Sequence, residues 1–311
     1  MDNLKVFMGS SNPVLGEEIC RHIRIEPGEI TIKRFANDNT FVQIRESVRG
    51  KDCYVVQSLY PNPNEALVEL MIILDALRSA SAERITAVIP HYSYARSDKK
   101  DQPRISIAGR LFADTLVSAG AMRFMLMNLH SDQVRGFFNV PTDHLLSEPI
   151  IIDYLKRQID LSNTVALLDL GQQKREGNFS KQLGLPLAIM NKERKSDQEV
   201  EITNMIGDVE GKDVLIFEDE ISRGTSLVAA AKEVRRRGAE RIRVACTHGL
   251  FCGPAPELIR DSDIEEIVTT NSVEIPQERR LDNMTVLSVG SLFGEAIKRT
   301  HFGESVSVLF R

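Results

Sequence analysis

Short apolar, β-branched runs alternate along the chain with longer stretches in which apolar residues recur every three or four positions. The runs are LKVFMGS (4–10), CYVVQS (53–58), RITAVIPH (84–91), RFMLMN (123–128), TVALLD (164–169), DVLIFED (213–219) and RIRVACTH (241–248). Helical patterns fall between them, among them NEALVELMIILDALRSA (64–80), ISIAGRLFADTLVSAG (105–120) and SLVAAAKEVRRRG (226–238). Strand–helix alternation at this spacing predicts an α/β fold with mainly parallel sheets and crossover helices. Gly238 after Arg235, Arg236 and Arg237 reads as a helix C-terminus, with cations at the negative end of the dipole. The pattern runs twice: ALRSASAERITAVIPH (76–91) and EVRRRGAERIRVACTH (233–248) share one layout, which predicts two similar domains. The boundary is placed where PTDHLLSEP (141–149) interrupts the alternation, giving domains 1–145 and 146–311.

Composition narrows the function classes. A chain of 311 residues with 42% hydrophobic residues can build two cores, and a formal net charge of −5 argues against a general nucleic-acid binder. Cys20 and Cys53 sit in apolar surroundings that suit buried thiols, and Cys246 and Cys252 lack a zinc-site spacing. MDNLKVFMGSSNP has no long apolar core, and no run approaches the ~20 apolar residues of a membrane span. The expectation is a cytoplasmic protein with no membrane partner.

Ligands of open α/β sheets bind beyond the C-terminal ends of strands, so the polar residues after each run carry the candidate chemistry. In IFEDEISRGTSL (216–227), Glu218 and Asp219 can accept sugar hydroxyls, while the Ser222–Ser226 loop and the following helix N-terminus can cradle a phosphate. The bland alternative is a strand–turn–helix capped by Thr225 or Ser226. HYSYARSDKK (91–100) offers Arg96, Asp98, Lys99 and Lys100 to a polyphosphate, or is a solvated charged loop. His130 in NLHSDQVRGFF (128–138) is a metal–nucleotide ligand or a structural histidine. Asp169 in ALLDLGQQKR (166–175) holds Mg²⁺ or is a helix N-terminal acid. IMNKERKSDQEVEI (189–202) places Lys192, Arg194 and Lys195 on a cationic lid or at a hairpin tip with surface charge.

Taken in order, these motifs strongly resemble the ribose-phosphate diphosphokinases. The similarity extends from about residue 4 to residue 310 and is densest in RFANDNTFVQIRESVRGKDCYVVQS (34–58), RITAVIPHYSYARSDKK (84–100), LHSDQVRGFFNVPTDH (129–144), MIGDVEGKDVLIFEDE (205–220) and CTHGLFCGP (246–254). The resemblance implies two tandem type I phosphoribosyltransferase-like domains and a homodimer able to assemble into a hexamer. It also implies Mg²⁺-dependent transfer of the β,γ-diphosphate of ATP to the anomeric hydroxyl of a phosphorylated ribose, with AMP released. By that resemblance Phe35, Asn37 and Asn39 lie near the adenine. Arg96, Ser97, Asp98 and His130 serve ATP. His130 and Asp169 attend the metal, and Lys192 and Arg194 are catalytic. Asp169, Glu218, Asp219 and Ser222, Arg223, Gly224, Thr225 and Ser226 hold the acceptor.

The sequence also departs from the family. Its acceptor loop typically reads Asp-Asp-Met-Ile-Asp-Thr-Gly-Gly-Thr and here reads EDEISRGTS (218–226), with Ser222 for Asp, Arg223 for Thr and Thr225 for Gly. Asn128, Gln172 and Asn39 replace the family's Asp, Gly and Glu. An arginine fork beside the loop suits a 5-linked diphosphate, so the favoured acceptor is ADP-ribose, which would place the enzyme in NAD-related metabolism. The alternatives are an ordinary synthetase acting on ribose 5-phosphate and a catalytically silent regulatory paralogue.

Overall fold

The structure, a computed structural model, describes residues 3–169, 173–194 and 200–310. The chain divides into two compact units. The first comprises residues up to Leu146, with Ser272–Glu274 and the segment from Ser288 onward; the second comprises Ser147–Asn271 and Ile275–Leu287.

The first unit contains β1 (Leu4–Met8), α1 (Pro13–Ile23), β2 (Ile30–Arg34), β3 (Thr40–Ile44), β4 (Asp52–Val56), α2 (Pro63–Ser79), β5 (Arg84–Ile89), α3 (Ala108–Ala119), β6 (Arg123–Met127) and β7 (Thr142–Leu145). Its main sheet has the order β1-β4-β5-β6-β7, and every neighbouring pair is parallel. Every residue of β4 is buried, as expected of a parallel strand covered on both faces. Side chains such as Phe7, Val55, Leu70, Ile73, Ile85 and Phe124 form one core between the sheet and its helices. Strands β2 and β3 form a separate antiparallel pair with Ile30 opposite Ile44.

The second unit contains α4 (Glu148–Gln158), β8 (Thr164–Asp169), α5 (Gln173–Leu183), β9 (Leu187–Arg194), β10 (Val200–Ile206), β11 (Asp213–Ile221), α6 (Thr225–Arg236), β12 (Ile242–Gly249), α7 (Ala255–Arg260), β13 (Ile264–Thr270) and β14 (Met284–Leu287). Its sheet has the order β10-β9-β8-β11-β12-β13-β14, and only the β9–β10 pair is antiparallel. Phe179 of α5 stacks on Phe217 of β11 with centroids 4.0 Å apart. Allowing for the two-strand excursion after the first strand, β1-β4-β5-β6-β7 and β8-β11-β12-β13-β14 are one winding used twice.

The last helix, α8 (Gly290–Phe302), departs from a simple division after residue 145, because it packs with the first unit. Its face of Phe293, Ala296 and Ile297 is buried, and Gly294 lies so close to His22 of α1 that an added Cβ would come within 2.7 Å of the ring. His301 Nδ1 lies 2.7 Å from buried Asp52, which also accepts from Arg84 and, at 3.1 Å, from the Tyr54 hydroxyl. These contacts tie the chain's end to the start of β4. Among the described residues, no helix is long and apolar enough to cross a membrane.

Candidate active site

Every parallel strand of the second unit ends at the same sheet edge, and the candidate acceptor residues lie there. The apolar part of β11 is buried through Phe217; then Glu218 and Glu220, half-buried, face opposite to Asp219, which is 8% exposed. Glu218 stands beside Cys246 of β12 and Glu220 beside His248. Asp169 closes β8, the strand on the other side of β11.

The chain leaves β11 through Ser222, exposed Arg223 and buried Gly224. Gly224 has φ +76°, a conformation that costs other residues, and it occupies the N-cap of α6. The capping alternative for Thr225 or Ser226 is therefore not what the helix uses; Thr225 is its first residue. The first backbone bond of the helix runs from Val228 N–H to Gly224 O at 2.9 Å. That leaves the N–H groups of Thr225, Ser226 and Leu227 outside the ladder. The first turn carries no acidic side chain, so its amides and the positive end of the dipole suit an anion.

Lys192 and Arg194 fall on β9. Met190 is in register with Asp169, so β9 runs four residues past the end of β8, about 13 Å at the usual rise. The cation-bearing end of β9 thus projects beyond the edge that carries Asp169. It is also paired with β10, with Lys192 opposite Ile202 and Arg194 opposite Val200, so this part of the expected lid is a β-hairpin. Lys195 and Gln172 lie outside the described residues.

The first unit groups a second set of candidates. Arg96 ends a short 3₁₀ turn (Ser93–Arg96) after β5, and His130 follows β6, so both leave neighbouring strands at one edge. Arg96 is exposed, while Ser97, Asp98 and His130 are half-buried. Ser97 Oγ accepts the Ala108 N–H at 3.1 Å and donates to Ser106 O at 3.3 Å, which fixes the start of α3. Phe35, Asn37 and Asn39 are not on this edge; they make the β2–β3 turn. There Asp38 has φ +64°, Asn39 N–H reaches Asn37 Oδ1 at 3.3 Å, and Phe35, 54% exposed, meets Phe41 edge-on.

Sequence reasoning missed His144. Its Nε2 accepts the Leu129 N–H at 3.0 Å, which ties down the backbone just before His130, and its Nδ1 faces the Asp132 carboxylate at 3.9 Å. The signal was available only as the second histidine of the segment 129–144. Thiol chemistry has no support at Cys246. Burial pushes the Cys246 thiol up to about 12, the hydrogen bond to Thr269 opposes this, and the carboxylates of Glu218, Asp219 and Glu220 add to it.

The fold and these edges define a phosphoribosyltransferase-type α/β enzyme. The family described as the N-terminal domain of ribose phosphate pyrophosphokinase matches residues 4–120, and the phosphoribosyl synthetase-associated domain matches residues 196–311. A ribose-phosphate pyrophosphokinase of Deinococcus radiodurans is 46% identical, covering 99% of this chain and 98% of its own length. One from Rhodopirellula baltica is 42% identical over 100% and 99%. The crystal structure of phosphoribosylpyrophosphate synthetase from Mycobacterium smegmatis superposes with a TM-score of 0.90 at 34% identity, covering 97% of this chain and 99% of that one. The chain belongs to the ribose-phosphate pyrophosphokinase family and is a diphosphotransferase. The expectation of an ADP-ribose acceptor finds no support among these relatives, which are named ribose-phosphate pyrophosphokinase or phosphoribosylpyrophosphate synthetase.

Proposed function

We propose that the enzyme transfers the β,γ-diphosphate of ATP to the anomeric hydroxyl of ribose 5-phosphate, releasing AMP and forming phosphoribosyl diphosphate. One observation carries this reading: an acid-tipped β11 leads through a left-handed Gly224 into a helix whose first amides are uncapped. That arrangement offers carboxylates to a sugar and backbone N–H groups to its phosphate. Glu218 and Asp219 orient the ribose hydroxyls, and residues 222–226 hold the 5-phosphate. Lys192 and Arg194 meet the charge that grows on the transferring group. In the first unit, Arg96, Ser97, Asp98 and His130 serve the nucleotide phosphates, and Phe35, Asn37 and Asn39 serve the adenine. Assembly into homodimers and on to hexamers belongs to the same reading.

Mg²⁺ fits the donor set through Asp169, whose carboxylate oxygen is the ligand type it takes, with waters and substrate phosphates completing the shell. Among the described residues, no group of three His, Cys, Asp or Glu side chains forms a ready cage. His130 offers nitrogen, a poorer donor for this ion, and is assigned to the phosphates instead. When bound, Mg²⁺ withdraws charge from the phosphate oxygens. No side chain is needed as general base, because positioning and charge stabilisation carry most phosphoryl transfers.

The ADP-ribose alternative rests on the sequence departures, chiefly Ser222 and the exposed Arg223. An AMP-release assay with ATP and Mg²⁺ separates the two acceptors. AMP is expected with ribose 5-phosphate and little with ADP-ribose. The reverse preference would restore the shifted acceptor, and AMP from neither would point to a regulatory paralogue.

A further inference from the structure

We propose that Phe251, 25 or more residues along the chain from the acceptor loop, is a positioning residue that sets the loop's backbone for the sugar phosphate; this rests on the acceptor-site reading above. After β12 the chain turns back against the exit of β11. The N–H groups of Leu250 and Phe251 both reach Ile221 O, at 2.9 and 3.1 Å, and Cys252 N–H reaches Ser222 O at 2.8 Å. The carbonyls of the loop's first residues are thereby fixed by a second segment, which constrains where the following amides point. To deliver these bonds Phe251 takes φ +46°, a left-handed conformation that bulky residues rarely adopt. Its side chain is 0% exposed. A residue needed only for that turn would be Gly or Asn. A buried ring in that conformation is over-determined by its surroundings, as strained residues beside functional sites commonly are.

The packing shows what the ring touches. An added Cβ on Gly249 would lie 2.5 Å from Phe251 Cε2, so β12 ends in a glycine where the ring rests on its backbone. The braced segment runs on into α7, whose Ala255 and Ile259 lie 3.5 Å from where Gly224 would carry a Cβ. One continuous stretch from 249 to 259 therefore holds the loop at Ile221 and Ser222 and backs it at Gly224. A cradle of amides aids binding and catalysis only if it is already in place when the anion arrives.

The test measures KM for ribose 5-phosphate, KM for ATP, kcat and Tm in the full chain and in Phe251→Ala, Phe251→Leu, Gly249→Ala and Asp219→Asn. Phe251→Ala is expected to raise KM for ribose 5-phosphate on the order of tenfold while KM for ATP stays put. Gly249→Ala, which drives a methyl group into an intact Phe251, should reproduce the same split, and Phe251→Leu should recover part of the loss. If Phe251→Ala does not fold, the other two variants carry the test. Movement of KM by Asp219→Asn but by none of the Phe251 or Gly249 variants would overturn the positioning role. No change of KM or kcat with Asp219→Asn, or no saturation by ribose 5-phosphate in the parent chain, would overturn the acceptor reading and the positioning role with it.

Discussion

Gln57, just past the end of β4, and Glu218, near the end of β11, occupy matching places in the two copies of one winding, and the polar groups at the two strand ends have opposite fates. In the first unit the polar groups at this strand end are taken up by α2 and the loop after β1. Gln57 Nε2 donates to Glu69 Oε1 at 2.8 Å and to Ala66 O at 3.3 Å, while its Oε1 accepts the Ser11 amide and hydroxyl at 3.1 and 2.7 Å. The Glu69 carboxylate takes the Ser10 amide and hydroxyl, each at 2.7 Å. Gln57 is 0% and Glu69 7% exposed, so the loop after β1 is stitched to α2 with its donors spent internally. In the second unit the strand end keeps its carboxylates, and α6 starts with no acidic side chain in its first turn, whereas α2, which also lacks a side-chain cap, starts with Pro63 and carries Glu65 there. The fold supplies a strand, a turn and a helix in both cases; the residues in the turn decide whether its polar groups serve the protein or a ligand.

The two hairpins extend the contrast and give the largest expected effect. Strand β9 joins the main sheet of its unit and carries Lys192 and Arg194 past its edge, while β2–β3 stands apart with an exposed Phe35. Lys192→Ala or Arg194→Ala is expected to lower kcat by about 10²–10³, or ~2.7–4 kcal/mol, with ATP binding by calorimetry retained. Phe35→Ala should instead raise KM for ATP. Turnover near the parent value in both β9 variants would end the proposed division of labour.

The turns themselves predict a crossed pair of phenotypes. Glu69→Ala leaves the buried Gln57 Nε2 with only its 3.3 Å bond to Ala66 O and returns the exposed Ser10 donors to solvent, at about 1–3 kcal/mol for the buried group. Tm should fall while KM for ribose 5-phosphate holds. Gly224→Ala carries a left-handed penalty of about 1–2 kcal/mol, but its larger consequence should be a raised KM for the acceptor. Equal rises in KM from both variants would show that the two turns are not functionally distinct.

The seven apolar runs all became parallel strands, since a strand covered on both faces needs a near-continuous apolar sequence. The elements left unread have weaker patterns. Strand β2 is half-exposed or exposed throughout, β7 is the four residues TDHL, and β9 ends in NKER. The sheet edges that hold the candidate residues were legible, because the ends of apolar runs mark them. The docking of α8 on α1 was not, since the helices lie more than 260 residues apart and no local pattern names a partner. Similarly, nothing local distinguishes Glu69 from other helix glutamates, and Phe251 reads as one more apolar residue until its backbone conformation is known.

A last pair of glutamates sharpens the contrast at its smallest scale. Glu69 on α2 is buried in the closed turn, whereas Glu233 lies near the C-terminal end of α6, the matching helix of the other unit. Glu233 accepts from Arg236 Nε and Nη2, each at 2.8 Å, and from Arg237 Nε at 2.7 Å. The Arg236 hydrogen bond chiefly, helped by Arg237 and opposed by burial, brings its pKa from the ordinary 4.5 down to about 2. A carboxylate lowered in this way contributes stability that is fully present above its unfolded value and fades as pH falls through its folded one. Because such pairs are near solvent and share geometry with ordinary i,i+3 and i,i+4 helix pairs, Glu233→Gln is expected to cost only ~0.3–1 kcal/mol at pH 7. Urea unfolding of parent and variant should then converge between pH 4.5 and about 2, the window set by those two values. A difference that stays constant across that window would show that the side chain acts through packing instead of charge, and a loss matching that of Glu69→Ala would erase the distinction between a helix glutamate that seals a turn and one that only decorates a helix end.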